Sequence, residues 1–192
     1  QRSVGSSWAC EPTGTRRSVS DALPIVALLP QLRAAVKANE PVVILAPPGA
    51  GKTTQVPPAI AEHVEGQVLV LQPRRVAARA AASRVASELG ARLGGAVGYR
   101  VRLDDKSSKD TKIIFMTEGV LLRKLQTDPF LDGVGAVVLD EFHERHLDAD
   151  LALALLHEVR NNVRDDLRIV VMSATLDPEP IAKWLNGSTL RS

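Results

Sequence analysis

A glycine-rich loop between an apolar segment and a candidate helix constrains this chain more than any other feature of its sequence. The loop reads Ala46-Pro47-Pro48-Gly49-Ala50-Gly51-Lys52-Thr53-Thr54 and follows a β-branched run at residues 41–45, which predicts a buried strand. Strand, glycine loop, Gly-Lys-Thr and helix in this order are typical of the phosphate-binding loop of nucleoside triphosphatases. The sequence therefore predicts that the chain binds a nucleoside triphosphate.

Each part of this loop has a physical task in phosphate binding. Gly49 and Gly51 can adopt backbone conformations that other residues avoid, so that successive N–H groups can point into one concavity. Lys52 would reach the terminal phosphates as a point charge, and the Thr53 hydroxyl would ligate Mg²⁺. Ala46 replaces the usual first glycine, and a small residue should be tolerated there because the tight curvature falls later. The predicted nucleotide-binding residues are Pro48, Gly49, Ala50, Gly51, Lys52, Thr53 and Thr54.

The composition fits one folded domain without a membrane segment. The 192 residues are 45% hydrophobic and 24% charged, and an aromatic content of 3% argues against a base-stacking platform. The single Cys10 excludes an internal disulfide and fits a reducing compartment, so we expect a cytoplasmic location. Residues 1–20 lack apolar periodicity and predict a flexible tail or a non-native leader, which leaves residues 21–192 as the domain.

Short apolar segments alternate with helical segments along the rest of the chain. Most of these strands are apolar on both faces, which predicts a mostly parallel sheet covered by helices on each side, a three-layer α/β sandwich. We expect a charged turn at 104–110 and a helix after the loop that Pro57-Pro58 interrupts. Strands are predicted at 41–45, 67–71, 96–103, 111–117, 136–139 and 168–172, and helices at 25–36, 73–89, 118–126, 149–161 and 178–185.

An apolar strand that ends in two carboxylates is the natural partner of the loop. Asp140 would lie at the carboxyl edge of the sheet, where open α/β folds bind ligands, and would hold the Mg²⁺ that Thr53 touches. Glu141 would orient and polarise the attacking water. His143 lacks the second histidine four residues later that a zinc-binding helix needs, so we expect it to couple the nucleotide site to another part of the molecule. The predicted reaction is phosphoanhydride hydrolysis, with Lys52, Asp140, Glu141 and His143 as the catalytic residues.

Together with the loop, five further motifs resemble those of the DEAH-type helicases of superfamily 2. They are Gln72-Pro73-Arg74-Arg75-Val76-Ala77-Ala78, Gly98-Tyr99-Arg100-Val101-Arg102, Thr117-Glu118-Gly119, Asp140-Glu141-Phe142-His143-Glu144-Arg145 and Ser173-Ala174-Thr175. The resemblance extends from about residue 23 to about residue 184 and is greatest to the bacterial HrpB-type subgroup. It implies a RecA-like fold, ATP and Mg²⁺ as cofactors, and the motor domain of an ATP-dependent helicase that acts on single-stranded nucleic acid, with RNA the expected substrate.

The resemblance also implies contacts to nucleic acid. Arg74 and Arg75 follow a proline at a helix start, where N–H groups and guanidiniums can together grip a phosphate. Arg100, Thr117 and Gly119 are implied to contact the same strand. Such sugar and phosphate contacts would be independent of base sequence and sensitive to salt. For Arg79 and Arg84, in contrast, we expect a solvated helix face.

The same resemblance leaves two aspects of coupling open. Ser173 and Thr175 are implied to link the nucleotide site to movement between domains, and a Ser/Thr pair that caps the following helix is the alternative. Helicases of this type close a second RecA-like domain over the nucleotide, and that domain supplies arginine fingers. We expect no such domain in these 192 residues, so the isolated chain should hydrolyse ATP slowly or not at all.

Two other functions stay open at this point. One is a nucleotide-gated switch that binds nucleic acid without unwinding it, and the other is a DNA translocase. The presence of Glu141 favours an enzyme over a switch, because a pure switch can dispense with the hydrolytic carboxylate.

Overall fold

The computed structural model describes residues 23–192, which form one eight-stranded sheet between two layers of helices. The strands are β1 Val42–Leu45, β2 Gln67–Gln72, β3 Val97–Val101, β4 Asp104–Lys106, β5 Ile113–Thr117, β6 Val134–Leu139, β7 Arg168–Ser173 and β8 Ser188–Arg191. The helices are α1 Leu29–Lys37, α2 Lys52–Ala61, α3 Arg75–Glu88, α4 Glu118–Thr127, α5 Leu147–Asn162 and α6 Glu179–Leu185. Short 3₁₀ turns at Pro24–Leu28 and Phe142–Glu144 precede α1 and α5. The tail or leader expected at residues 1–20 lies outside the described residues.

The sheet has the strand order β4-β3-β5-β2-β6-β7-β1-β8. Every neighbouring pair is parallel except β3 and β4, so the expected mostly parallel sheet is confirmed. Parallel strands end at a common edge, and the segments that follow β1, β2, β5, β6 and β7 therefore meet there. That edge carries the glycine loop and most of the residues to which the sequence assigns chemistry.

Alternate side chains of the central strands enter two separate cores. Ile44 and Phe115 pack with α1, α2 and α3, whereas Val43 and Met116 pack on the opposite face with α4, α5 and α6. All four side chains are fully buried, as expected of parallel strands that are covered on both faces. The three-layer α/β sandwich is confirmed. Across residues 23–192, every helix is too short or too polar to cross a bilayer.

The two edge strands were not predicted. β4 falls inside the expected charged turn, and β8 lies beyond the last predicted helix. Both are short and polar, as edge strands often are, and therefore lack the apolar pattern by which a buried strand is recognised. β4 can approach β3 because Gly98 has no side chain: a Cβ there would lie 2.2 Å from the Lys106 carbonyl oxygen.

Helix α2 runs through Pro57 and Pro58, so the predicted interruption was wrong. Both prolines lack the N–H that a helix interior uses. The helix continues because its apolar side is held in the core, where Val56 and Ile60 are fully buried. Tertiary packing overrides the local preference here.

Candidate nucleotide site and nucleic-acid cleft

The glycine loop has the backbone that its sequence predicts. Gly49 and Gly51 have φ angles of 77° and 92°, in the left-handed region that favours glycine. A side chain at Gly51 would also meet Leu23, whose Cδ1 would lie 2.7 Å from the added Cβ. Ala46 is not among the positive-φ positions, so an alanine fits there without strain. Ala50 closes the loop by donating its N–H to the Pro47 carbonyl oxygen at 3.2 Å.

Lys52 is held inside the loop by neutral oxygens. Its side chain is buried, with 4% exposed, and Nζ donates to the carbonyls of Ala46 at 2.6 Å and Pro47 at 3.0 Å. The N–H groups of Lys52 and Thr53 begin α2 and have no intrahelical partner one turn earlier. An anionic phosphate would be a stronger partner for all of these donors than two carbonyls are. A cavity of about 160 Å³ beside them is lined by Leu23, Gly49, Gly51, Lys52, Thr53, Thr54, Arg84 and Glu141.

Asp140 joins the end of β6 to this loop. Its Oδ2 accepts hydrogen bonds from Thr53 Oγ1 and from Gln72 Nε2, each at 2.6 Å, and its Oδ1 accepts the Glu141 N–H at 2.9 Å. Burial is the main cause that raises the pKa of Asp140 to about 6; the hydrogen bonds from Thr53 and Gln72 oppose it, and the nearby charge of Glu141 adds to it. A carboxylate and a hydroxyl are the hard oxygen ligands that Mg²⁺ prefers, and Mg²⁺ takes only one or two from protein when phosphates supply others. The two side chains therefore fit the metal that the sequence assigns to them.

Gln72 is a site residue to which the sequence analysis gave no role. It ends β2, and the register that pairs Leu71 with Leu139 sets Gln72 beside Asp140. Its side chain is buried and donates to the carboxylate. The sequence did contain a signal for this role, because Gln72 is a polar residue at the end of an otherwise apolar strand and a buried polar group needs a hydrogen-bond partner.

His143 bridges Glu141 to the segment after β7. The Ala174 N–H donates to His143 Nδ1 at 3.3 Å, so in the neutral imidazole the proton is on Nε2. That nitrogen lies 3.4 Å from Glu141 Oε2. The backbone of Glu141 is left-handed, with φ of 53°, and the residue lines the candidate nucleotide cavity. His143, the predicted coupling residue, thus contacts both the Glu141 carboxylate and the segment after β7.

Ser173 and Thr175 lie on either side of this contact. The buried Ser173 accepts the Ala46 N–H on its carbonyl at 3.1 Å and the Leu176 N–H on its hydroxyl at 3.2 Å. Helix α6 begins at Glu179 and has Pro178 at its N-cap, so neither residue caps it. Thr175 is exposed. Ser173 therefore connects the segment after β7 directly to the start of the glycine loop.

A second cleft, of about 470 Å³, lies at the same sheet edge, after β2 and β5. Arg74 is extended and precedes α3, and Thr117 is extended and precedes α4, so two positive helix ends adjoin the cleft. Four of the five predicted nucleic-acid contacts, Arg74, Arg75, Thr117 and Gly119, line it. The full lining is Pro73, Arg74, Arg75, Arg102, Thr117, Glu118, Gly119, Val120, Arg123 and Asp148.

Arg100, the fifth predicted contact, lies within β3 and not at the cleft. Its Nε donates to Asp105 Oδ2 at 2.6 Å and its Nη2 to Ser107 Oγ at 3.0 Å, both on the β4 side of the hairpin. Arg102, which the sequence analysis did not single out, lines the cleft because it follows the end of β3. The signal that could have found it is its place just after a strand, at the carboxyl edge where ligands bind.

The two arginines expected on a solvated helix face differ from each other. Arg79 pairs with Asp104 at 2.5 Å, and its guanidinium lies 5.8 Å from the centre of the Tyr99 ring. Arg84 bonds Glu88 at 2.9 Å and also lines the nucleotide cavity. Arg79 therefore links α3 to the β3–β4 hairpin, whereas Arg84 is paired with Glu88 at the lining of the nucleotide cavity.

One edge of the mostly parallel sheet carries the glycine loop, the carboxylates that follow β6 and the cleft. RecA-like nucleoside triphosphatase domains share this arrangement. Comparison with known families makes the assignment specific. The chain belongs to the DEAD/DEAH box helicase family, whose model matches residues 29–184.

The proteins similar to this chain are much longer than the chain itself. The ATP-dependent RNA helicase HrpB of Escherichia coli K12 is 47% identical over 165 residues, which are 85% of this chain and 20% of that protein. A probable ATP-dependent RNA helicase, the DHX35 homolog of Caenorhabditis elegans, is 47% identical over 142 residues, or 72% of this chain and 19% of that protein. The crystal structure of the E. coli DExH-box NTPase HrpB matches with a TM-score of 0.85 and 44% identity over 93% of this chain and 22% of that one. The predicted resemblance to HrpB-type helicases is confirmed, and the chain spans about a fifth of the length of these relatives.

Proposed function

We propose that this chain is the ATP-binding motor domain of an ATP-dependent RNA helicase, which in the intact protein hydrolyses ATP to ADP and phosphate. The observation that carries the proposal is the 2.6 Å hydrogen bond from Thr53 to Asp140, which joins the phosphate-binding loop to the helicase box. The names of the similar proteins, ATP-dependent RNA helicases, support the RNA assignment. They give no support to a nucleotide-gated switch or a DNA translocase.

In this mechanism the loop holds the phosphates and Glu141 acts on the water. The first N–H groups of α2 bind phosphate oxygens, and Lys52 leaves its two carbonyls for the terminal phosphates. Thr53 and Asp140 would hold Mg²⁺. When bound, the ion would neutralise the negative charge that develops on the phosphate oxygens. Glu141 accepts a hydrogen bond from the attacking water and orients it in line, while the His143 ring fixes the position of that carboxylate.

The cleft would hold the sugar–phosphate backbone of single-stranded RNA. Arg74, Arg75 and Arg102 supply positive charge, and the N-terminus of α4 at Thr117 supplies N–H donors, the Gly119 backbone among them. Groups of this kind bind phosphates and leave the bases unread. The cleft and the nucleotide cavity are neighbours at one sheet edge, which supports coupling of the two ligands through an element that both sites share.

Completion of the site requires a second RecA-like domain of a longer protein. An arginine finger from such a domain is worth about 10³ to 10⁵ in rate. We propose that residues 21–192 form the first motor domain, that Ser173 and Thr175 transmit its state to the second, and that the isolated chain turns over slowly or not at all. We also propose a cytoplasmic location, on the strength of the single cysteine.

The proposal is tested by ATP turnover of the intact protein and of residues 1–192, each with single-stranded RNA, with single-stranded DNA and without nucleic acid. RNA-stimulated turnover of the intact protein, lost in Glu141→Gln while ATP binding persists, is the expected result. Stimulation by DNA alone would make the protein a DNA translocase, and no response to either would make it a switch. Strong RNA-stimulated turnover by residues 1–192 would overturn the requirement for a second domain.

A further inference from the structure

One carboxylate of the helicase box, Glu144, contacts a residue that lines the nucleic-acid cleft and is not among the residues that line the nucleotide cavity. Glu144 Oε2 accepts a hydrogen bond from Arg74 Nη2 at 2.9 Å and a second one from His146 Nε2 at 3.0 Å. The Arg74 side chain is 71% exposed, whereas that of Glu144 is only 24% exposed. Arg74 can therefore change partners easily, while Glu144 stays in place between the cleft and the box.

The backbone connects Glu144 to the hydrolytic carboxylate in a single turn. The 3₁₀ turn Phe142–Glu144 begins directly after Glu141, and the Glu144 N–H donates to the Glu141 carbonyl at 3.0 Å. Phe142 anchors the turn in the core, where only 3% of the residue is exposed. One hydrogen-bonded turn thus connects Glu144 to Glu141 and His143.

A phosphate and Glu144 would compete for the same guanidinium. Arg74 lines the cleft, and a backbone phosphate bound there would bring its negative charge close to the Glu144 carboxylate. Two anions at one cation repel each other, so the arriving phosphate weakens the ion pair that Glu144 makes. The freed carboxylate keeps His146 as a partner.

We propose that Glu144 is a positioning residue that makes ATP hydrolysis dependent on RNA. It holds Arg74 when the cleft is empty, and it yields Arg74 to an RNA phosphate when the cleft is filled. The exchange alters the turn that carries Glu141 and His143. This inference rests on the proposed function, because it assumes that the cleft binds RNA.

The first test is the binding of fluorescein-labelled oligouridylate to residues 1–192 by anisotropy at low salt. Glu144→Gln removes the competing charge but keeps a side chain of the same size, so we expect about threefold tighter binding. In an Arg74→Ala background, the same substitution should change the affinity little, because the partner of Glu144 is gone. This double-mutant cycle isolates the exchange from a general change of charge.

Asp148→Asn is the matched control. Asp148 also lines the cleft, but its carboxylate is not among the partners of Arg74 in the described part of the chain. Its removal should tighten binding by the same small factor whether or not Arg74 is present. Thermal unfolding followed by circular dichroism verifies that each variant is folded, and exposed ion pairs contribute little to that stability.

The second test is RNA stimulation in the intact protein. Glu144→Gln should lower the concentration of RNA that gives half-maximal stimulation and should also reduce the ratio of stimulated to unstimulated turnover. Glu144→Asp, which restores the charge, should recover part of that ratio. An equal effect of Glu144→Gln with and without Arg74, or no effect on binding or on the ratio, would overturn the inference while leaving the helicase function intact. Failure of the unchanged protein to bind RNA would overturn the proposed function itself.

Discussion

Lys52 and Asp140 are buried ionisable side chains, and within residues 23–192 neither contacts an opposite charge. Lys52 is bonded to two carbonyls, and Asp140 is bonded to Thr53, Gln72 and a backbone N–H. Burying a charge is unfavourable unless it is well paired. Both side chains therefore bear an electrostatic cost in the unliganded domain that phosphate or a cation would relieve. Such costs are common where a site is built for ligands and not for stability.

Lys52→Ala should remove most of the phosphate affinity and leave the fold intact. A hydrogen bond to a charged group is worth about 1.5 to 3 kcal/mol, which predicts affinity for ATP about 10- to 100-fold weaker. Titration with a fluorescent ATP analogue measures the loss. Lys112 offers a matched control, because its Nζ also donates to two carbonyls, those of Val64 at 2.7 Å and Gly66 at 2.6 Å, away from the loop. Lys112→Ala should leave ATP affinity unchanged, and an unchanged affinity in Lys52→Ala would show that the loop is not the site.

The raised pKa of Asp140 predicts a pH dependence of stability in the unliganded domain. Because burial raises the pKa from 3.8 to about 6, the folded state binds the proton more tightly than the unfolded state does. The contribution of Asp140 is therefore fully present below about pH 4 and is lost as the pH rises through about 6. Urea unfolding of the unchanged chain and of Asp140→Asn, without nucleotide or Mg²⁺, should show the variant gaining in relative stability from pH 4 to pH 7. A constant difference across that range would contradict the prediction.

At the scale of elements, the sequence predicts those segments whose structure depends mainly on their own residues. The glycine loop and the buried strands were predictable because positive φ angles demand glycine and because burial on both faces demands apolar runs. β8 was not predictable, because its four residues form a strand only through pairing with the open edge of β1.

The same distinction applies to the site residues: some can be recognised from local motifs, and others depend on how the strands are arranged. Thr53 and Asp140 could be paired from motifs whose chemistry requires both. The roles of Gln72 and Arg102 depend on which strands are neighbours and on where each strand ends, and neither is a local property. Arg100 and Arg102 are two residues apart, yet the end of β3 at Val101 leaves one on the hairpin and the other at the cleft.

His143 connects the helicase box to the segment after β7. Its removal should therefore affect ATP turnover but not ATP binding. His143→Ala deletes the contacts to Glu141 and to the Ala174 N–H. We expect unchanged ATP affinity and RNA-stimulated turnover in the intact protein lower by about 10- to 100-fold, because a misplaced catalytic group is costly. His157→Ala is the control, since that ring packs at a tilt against Trp184, with centroids 4.1 Å apart, away from the helicase box. Equal losses in both variants, or a loss of ATP affinity in His143→Ala, would contradict the coupling role.

At the scale of the whole molecule, we expect the arrangement of charges, and not the total charge, to attract a polyanion. The net charge is only +2, yet four arginines, Arg74, Arg75, Arg102 and Arg123, line one cleft. Among the described residues, no aromatic side chain on which bases could stack lines the cleft. Binding should therefore be electrostatic and indifferent to base sequence.

This arrangement predicts the salt dependence of RNA binding by residues 1–192. Each neutralised phosphate of a single strand contributes about −0.7 to the slope of log K against log salt, so up to four arginine contacts give a slope of at most about −3. Arg102→Ala should make that slope shallower by about 0.7, whereas Arg100→Ala, whose guanidinium is engaged by Asp105 and Ser107, should change it less. Oligouridylate and oligocytidylate should bind alike. A slope near zero would mean that phosphates are not the ligand, and a strong base preference would require contacts that the lining of this cleft does not supply.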